Sequence, residues 1–326
     1  MIPYGRQHIS DEDVKAVVEV LKSDFLTQGP VVPRFEQALC DYTGAKNAVV
    51  TNSATTALHL ACRALGLGDG DILWTTPITF VASANCALYC GADIDFVDID
   101  PETFNLSIDA LEKKLEQAEK EGKLPKILVP VHLCGLSCDM QAIGKLSKKY
   151  GFSVIEDASH AIGGKYQDEP VGNCRYSDIT VFSFHPVKII TTGEGGVALT
   201  NDYDLAEKMV LLRSHGITRD PEKMTHEPDG EWYYQQVELG YNYRMTDIQA
   251  ALGLSQMARL DEFVERRHDI ANRYDGLLHE LPVRSQHRPM TSYSGMHLYI
   301  IRLIPNKLEK THKQIFSELR EAGVGV

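Results

Sequence analysis

Long apolar runs are missing from this sequence, and a membrane-spanning helix needs about 20 consecutive apolar residues. The opening Met1-Ile2-Pro3-Tyr4-Gly5-Arg6 also lacks the basic-then-apolar order of a secretory signal, so the expectation is a soluble, cytoplasmic chain without membrane contact. Clustered positive charge is scarce as well. The 33 Lys and Arg against 45 Asp and Glu leave a net charge of -12 at pH 7, with no basic stripe of the kind that binds nucleic acid. An anionic substrate must then be held by local donors. Paired cysteines are lacking too: the 7 present are Cys40, Cys62, Cys86, Cys90, Cys134, Cys138 and Cys174, an odd and scattered set unlike a disulfide framework. His132, Cys134 and Cys138 stand close together, but no second tight pair of ligand types accompanies them, so buried thiols beside a strand end are expected and a zinc site is not. There is no low-complexity segment and no internal repeat.

What the sequence does have is enough apolar material, 43% of 326 residues, for one large α/β domain or a large domain with a smaller partner. Strand-like runs at Asn47–Thr51, Ile72–Trp74, Asp95–Val97, Ile127–Val131, Ser153–Glu156, Ile179–Phe184 and Gly196–Thr200 alternate with helical patterns such as Thr55–Leu65, Ile108–Glu121 and Met140–Tyr150. That alternation predicts a mainly parallel sheet wrapped by helices. Asp247–Arg267 reads as one long helix with Thr246 as its N-cap, leading out of a large domain spanning 1–245. Beyond it, a strand at Tyr299–Ile304 and an amphipathic helix at Thr311–Glu321 predict a smaller α/β unit within 246–326. The last residues, Gly323-Val324-Gly325-Val326, fall where a further strand is expected, as in a shortened small domain.

Four segments carry chemistry. Val154-Ile155-Glu156-Asp157-Ala158-Ser159-His160 runs from an apolar strand into a turn, placing Asp157 at the strand's carboxyl end, where open α/β sheets bind ligands; its ordinary alternative is an N-cap for a following helix. Phe182-Ser183-Phe184-His185-Pro186-Val187-Lys188 leaves a buried strand for a loop rich in Gly, where Lys188 could be presented as a desolvated and nucleophilic amine. Asn52-Ser53-Ala54-Thr55-Thr56 lies between a strand and a helix, where free amides, the helix dipole and two or three hydroxyls attract a dianion, although such a Ser can simply cap. Thr76-Pro77-Ile78-Thr79-Phe80 sets an aromatic in a loop, either against a flat ligand or as ordinary packing. An acid, an amine, a phosphate cradle and a ring plate are together the groups that pyridoxal phosphate requires of a protein. By contrast, Gly66-Leu67-Gly68-Asp69-Gly70-Asp71 follows a helix and ends in Asp, which makes it a turn and not a dinucleotide fingerprint.

Across Asn52–Leu58, Ile155–Gly164, Phe182–Gly196 and Gly240–Leu254 the chain resembles the DegT family of nucleotide-sugar aminotransferases, and the similarity extends from about Pro3 to the end. The resemblance implies a fold-type I architecture: a mainly parallel seven-stranded sheet between helices, followed by a smaller C-terminal α/β domain. It implies that Lys188 holds the cofactor as a Schiff base and then shuttles the proton, with Asp157 on the pyridine nitrogen and Phe80 on the ring. Ser53, Ala54, Thr55 and Ser183 would surround the phosphate, and His160, where many members carry Gln, would sit beside the ring hydroxyl. Members are homodimers with composite sites, which places Asn242 at the partner's phosphate and makes Arg244 a candidate clamp for a substrate anion. Ile2–Gln7, Phe25–Pro30 and Ser183–Ile190 are most similar to the branch that aminates a UDP-linked 4-keto-6-deoxy-N-acetylhexosamine from L-glutamate in pseudaminic acid synthesis. Tyr4, Thr27 and His185 are the substrate contacts that this branch implies. Other nucleotide-linked keto sugars, a sugar dehydratase on the same scaffold and a non-catalytic sugar-nucleotide-binding module are the alternatives, the dehydratase being disfavoured because it carries His at the position of Lys188.

Overall fold

The computed structural model describes residues 1–326 and is built on one central sheet. Five strands enter it first: β1 (Asn47–Thr51), β2 (Ile72–Thr75), β3 (Asp93–Phe96), β4 (Ile127–Leu128) and β5 (Ser153–Asp157). A hairpin, β6 (Lys165–Tyr166) and β7 (Glu169–Pro170), intervenes before β8 (Ile179–Ser183) and β9 (Gly196–Thr200) complete the sheet. Its seven strands lie in the order β1-β9-β8-β5-β4-β2-β3. The pairs from β8 to β3 are parallel, whereas β9 is antiparallel to both its neighbours, so β9 alone is reversed. The sheet is thus mainly parallel, as expected, and carboxyl ends of β1, β2, β5 and β8 share one edge with the first residue of β9.

Two predicted strands of the sheet shift by two residues or more, and three others by one. β3 starts two residues earlier than the run Asp95–Val97, and regular pairing of β4 stops at Leu128. Beyond it the chain still follows the sheet, through Val129 N–H to Trp74 O and a bridge from Val131 to Asp157, but Pro130 brings no amide to continue the ladder.

Helices cover both faces because alternate residues of these strands are apolar on both sides. Val49, Ile155, Val181 and Ala198 join the core made with α3 (Ala54–Ala64), α4 (Ala82–Leu88) and α7 (Tyr203–Arg213). Val50, Phe182, Val197 and Leu199 point the other way, toward Phe35 and Leu39 of α2 (Val31–Thr43) and toward α8 (Asp247–Met257) and α9 (Leu260–Leu278). On that same face α5 (Ile108–Glu121) and α6 (Met140–Tyr150) close over Trp74, Leu128 and Val154. Burial of each such large side chain contributes about 1.5–3 kcal/mol.

The single helix predicted over Asp247–Arg267 is two. Thr246 does form the N-cap, with a capping box to Gln249, but the helix ends at Met257 and α9 starts at Leu260. At the break, Arg259 leaves the helical line to reach the buried carboxylate of Asp13 on α1 (Asp11–Leu21). The remaining ladders are short: β10 (Ile217–Thr218) with β11 (Gln235–Gln236), β12 (Val283–Ser285) with β14 (Ile301–Leu303), and β13 (Ser292–Tyr293) on the β6 hairpin. Thr311 caps α10 (His312–Glu321), after which Val324 pairs in parallel with Ile2. No helix is long and apolar enough to cross a membrane.

Candidate active site

Nine of the residues singled out in the sequence line one cavity of about 840 Å³ at the carboxyl edge of the sheet: Ser53, Ala54, Thr55, Phe80, Asp157, His160, Ser183, His185 and Lys188. The strand pleat explains part of this. Asp157 stands on the same face as Ile155, and its register partner Val181 on the same face as Ser183, so both polar side chains face α3 and α4 at the sheet edge.

The carboxylate of Asp157 is buried and held at both oxygens. Ser83 on α4 donates to Oδ2 at 2.6 Å, the Ser159 amide reaches Oδ1 at 3.1 Å, and Thr79 shares a 2.7 Å hydrogen bond with Ser83. No helix follows Asp157, so it caps none; residues 158–164 run through turns. Its neighbour Glu156 faces the opposite side of the sheet. There His132 donates to it through Nε2 at 2.7 Å, because the Cys138 amide occupies Nδ1, and Ser177 and Thr180 donate as well. Burial alone would raise the Glu156 carboxyl, but these donors, led by His132, hold it below its usual range. His132 and Cys138 are therefore engaged away from the cavity, and Cys134 turns toward Lys188, its thiol pushed by burial up to about 12.

Lys188 is positioned by its neighbours. Its amide closes a turn onto the His185 carbonyl at 2.9 Å, Phe184 accepts from Thr192 at 3.0 Å, and Ile189 and Ile190 are buried in the core. Burial lowers the Lys188 amine below the usual lysine range, opposed by Asp157 and Cys134, which makes the amine easier to deprotonate into its nucleophilic form. His160 accepts the Cys134 amide at Nδ1 (3.2 Å), leaving Nε2 of the neutral ring to donate. Burial, then the charge of Lys188, lowers His160 to about 4, so the ring is neutral at physiological pH.

At the start of α3, Ser53 caps by accepting the Thr56 amide at 3.2 Å, which leaves the Ala54 and Thr55 amides of the first turn without partners. A side chain on Gly196, at the start of β9, would come within 2.5 Å of the Ala54 nitrogen, so only Gly lets the reversed strand pass behind this turn. Two free amides, a hydroxyl and a helix N-terminus form a site for a dianion. Phe80 stands at the cavity mouth with 72% of its surface exposed, on the loop that leads into α4.

Four predicted residues do not line this cavity. Tyr4 is exposed on the N-terminal segment, whose Gly5 packs near Val187, and Thr27 bridges Thr246 by its backbone. Arg244 pairs with Thr51 and Asn242 with Ser214, while the Asn242 carbonyl meets the Asn52 side chain at 3.4 Å. The loop thus runs beside the cradle with the Asn242 side chain outward. Sequence reasoning missed Ser83, Thr79, Gln249 and Glu194, all at or behind the cavity wall. Ser83 was foreseeable only as one of the small residues after Phe80, and Gln249 as the capping partner of Thr246.

A half-buried amine and a fixed carboxylate lining one cavity with a dianion cradle match a pyridoxal-phosphate-dependent aminotransferase of fold type I. The chain belongs to the DegT/DnrJ/EryC1/StrS aminotransferase family, which it matches over residues 7–326. It is 43% identical to the UDP-4-amino-4,6-dideoxy-N-acetyl-beta-L-altrosamine transaminase of Campylobacter jejuni subsp. jejuni serotype O:2, the alignment covering 100% of this chain and 82% of that protein. It is 39% identical to the GDP-perosamine synthase of Caulobacter vibrioides, over 94% of this chain and 78% of that protein. Among solved structures, Helicobacter pylori PseC, an aminotransferase involved in the biosynthesis of pseudoaminic acid, superposes with a TM-score of 0.89 at 36% identity, covering 99% of this chain and 82% of PseC.

Proposed function

We propose that this aminotransferase moves the amino group of L-glutamate to C4 of a UDP-linked 4-keto-6-deoxy-N-acetylhexosamine. The observation that carries the chemistry is the placement of Lys188, an amine depressed by burial, in the same cavity as Asp157 and the α3 cradle. The sugar rests on the similarity to the Campylobacter transaminase and to PseC.

The residues present fit the cofactor: the unpartnered Ala54 and Thr55 amides with Ser53 and Ser183 for its phosphate, Asp157 for its ring nitrogen, Phe80 for its ring face and His160 Nε2 for its hydroxyl. When bound, pyridoxal phosphate supplies an aldehyde for an amine and a ring that draws electrons from the neighbouring C–H bond. Asp157, hydrogen-bonded at both oxygens, would pair with the ring nitrogen and favour that withdrawal. Lys188 is the residue that would hold the aldehyde, and its free amine would take the proton from Cα of glutamate. With the sugar the same amine would deliver a proton to C4. His185 and Glu194, on the loop around Lys188, line the cavity where the sugar would enter. Asn242 and Arg244 serve the cavity of a second copy in a homodimer, Asn242 at its phosphate and Arg244 at a substrate anion.

Two substrates using one amine in turn give ping-pong kinetics. The deciding experiment incubates the cofactor-loaded protein with glutamate and, separately, UDP-linked and GDP-linked 4-keto sugars, and identifies products by mass and NMR. Amination of the UDP sugar at C4 is expected, and Lys188→Ala abolishes it. Amination of the GDP sugar alone would move the assignment to another nucleotide, and no product from any keto sugar would sink it.

A further inference from the structure

Beyond β13 the chain runs back against the wall of the cavity beside His160. The Gly295 amide donates to the Gly135 carbonyl and the His297 amide to the Cys134 carbonyl, each at 2.9 Å. Gly135 has a φ of +102°, and a Cβ there would lie 2.8 Å from both the His160 carbonyl and the Met296 nitrogen, so glycine is required for the approach. From the other side α9 fixes the same stretch. Arg267 donates through Nη1 to the Met296 and His297 carbonyls at 3.3 and 3.0 Å, and His268 donates through Nε2 to the Ser294 carbonyl at 2.7 Å.

This doubly tied backbone presents His297. The side chain is only 6% exposed, and its ring centroid lies 4.5 Å from that of His160, the planes tilted by 43°. Cys134, in a left-handed conformation at a φ of +62°, joins the two residues: its amide donates to His160 Nδ1 at 3.2 Å and its carbonyl accepts the His297 amide. Nδ1 of His297 is buried without a partner. The fold thus keeps a histidine where one of its nitrogens is unsatisfied, which costs stability, and its ring lies against His160.

Resting on the assignment of His160 to the cofactor's hydroxyl, we propose that His297 is a positioning residue whose ring packs on His160 and holds its Nε2 toward that hydroxyl. The terminal torsion of a histidine is broad, and one hydrogen bond at Nδ1 leaves the ring able to swing. A second ring against it removes that freedom. The charges nearby suit two neutral rings. Burial, then His160, Lys188 and Arg267, hold His297 well below the usual imidazole range, and burial and Lys188 do the same for His160 against the pull of Asp157.

Two substitutions separate a plate from a proton carrier. His297→Phe keeps a flat ring and drops the nitrogens, whereas His297→Ala removes the ring, and His160→Ala serves as the reference. Pyridoxamine phosphate is the probe, because it carries the hydroxyl but makes no covalent bond to Lys188; its affinity for the full chain is measured by fluorescence titration. The His160 ring is titrated by NMR on the cofactor-free chain, its signal assigned by its loss in His160→Ala. In His297→Ala water reaches His160, whose midpoint should rise from about 4 by a unit or more toward the roughly 6.5 of a free imidazole. The affinity should fall about tenfold, as when a hydrogen bond is lost. In His297→Phe the affinity should stay within about threefold of the parent and the midpoint should remain low.

Parental affinity and midpoint in His297→Ala overturn the positioning role, even where the urea midpoint drops, since that drop reports packing alone. Damage in His297→Phe equal to that in His297→Ala overturns it too, because the nitrogens would then matter and the plate would not. If His160→Ala binds pyridoxamine phosphate as tightly as the parent, the assignment of His160 to the hydroxyl fails and the role of His297 with it. A loss in His160→Ala that His297→Ala does not share removes His297 alone.

Discussion

Asp157 and Glu156 are adjacent carboxylates on one strand, yet the pleat sends them to opposite faces, one to the cavity and the other to His132. Position at a strand end singled out Asp157 in the sequence. The role of Ser83 could not be read there beyond its being a small residue after Phe80, because a donor 74 positions away in the chain leaves no local signal. Removing it in Ser83→Ala leaves Asp157 with the Ser159 amide, and a hydrogen bond to a charged group contributes about 1.5–3 kcal/mol. We expect kcat to fall by roughly tenfold with the fold intact, measured on protein saturated with cofactor; an unchanged kcat would mean that the Ser159 amide suffices. His160 gives a pH prediction. Its folded value of about 4 lies below the roughly 6.5 of an unfolded imidazole, so between these values the unfolded chain binds the extra proton. Its contribution to stability is therefore fully present above pH 6.5 and lost as the pH falls toward 4. His160→Gln does not titrate, so the urea midpoint of the variant should fall less than that of the parent between pH 7 and pH 5. Equal falls in the two proteins would remove His160 from the acid response.

The inner strands were legible because strands buried on both faces read as short apolar runs bounded by turn residues, and β8, from Ile179 to Ser183, is buried throughout, whereas the edge strand β3 is largely exposed and its bounds were misplaced. The two- and three-residue ladders were not, since two residues carry no periodicity. The break between α8 and α9 was hidden for another reason: its apolar spacing runs on, but Arg259 is drawn to Asp13 on a helix near the other end of the chain. Asp13 is fully buried and also accepts from Ser255, Gln256 and the Ser10 amide, so this carboxylate fastens α1 to the helix break. Breaking a buried ion pair from one side costs about 3–5 kcal/mol, and Arg259 is partly exposed, which reduces that. Arg259→Ala should lower stability by about 2–3 kcal/mol in urea unfolding, and Arg259→Leu should recover little, because it restores packing without the charge. A loss below about 0.5 kcal/mol would show that the neutral donors carry Asp13 alone.

The molecule as a whole carries a charge of -12, and both proposed substrates are anions. Local donors decide how a sugar nucleotide is held, but its approach is governed by the summed field, which repels it. Lys188 adds little attraction, since in the proposed reaction the cofactor would occupy it between turnovers. Salt screens such repulsion over a Debye length of about 10 Å at 0.1 M, so kcat/KM for both substrates should rise as ionic strength increases from about 0.01 to 0.15 M. The UDP sugar, with its diphosphate, should gain more than glutamate, which has a single net negative charge. Steady-state rates in sodium chloride, with cofactor saturating throughout so that phosphate binding does not enter, provide the measurement. A fall in kcat/KM with salt for the UDP sugar would reverse the reasoning: a positive funnel at the mouth, with Arg244 of a second copy the foremost contributor, would then outweigh the field of the whole.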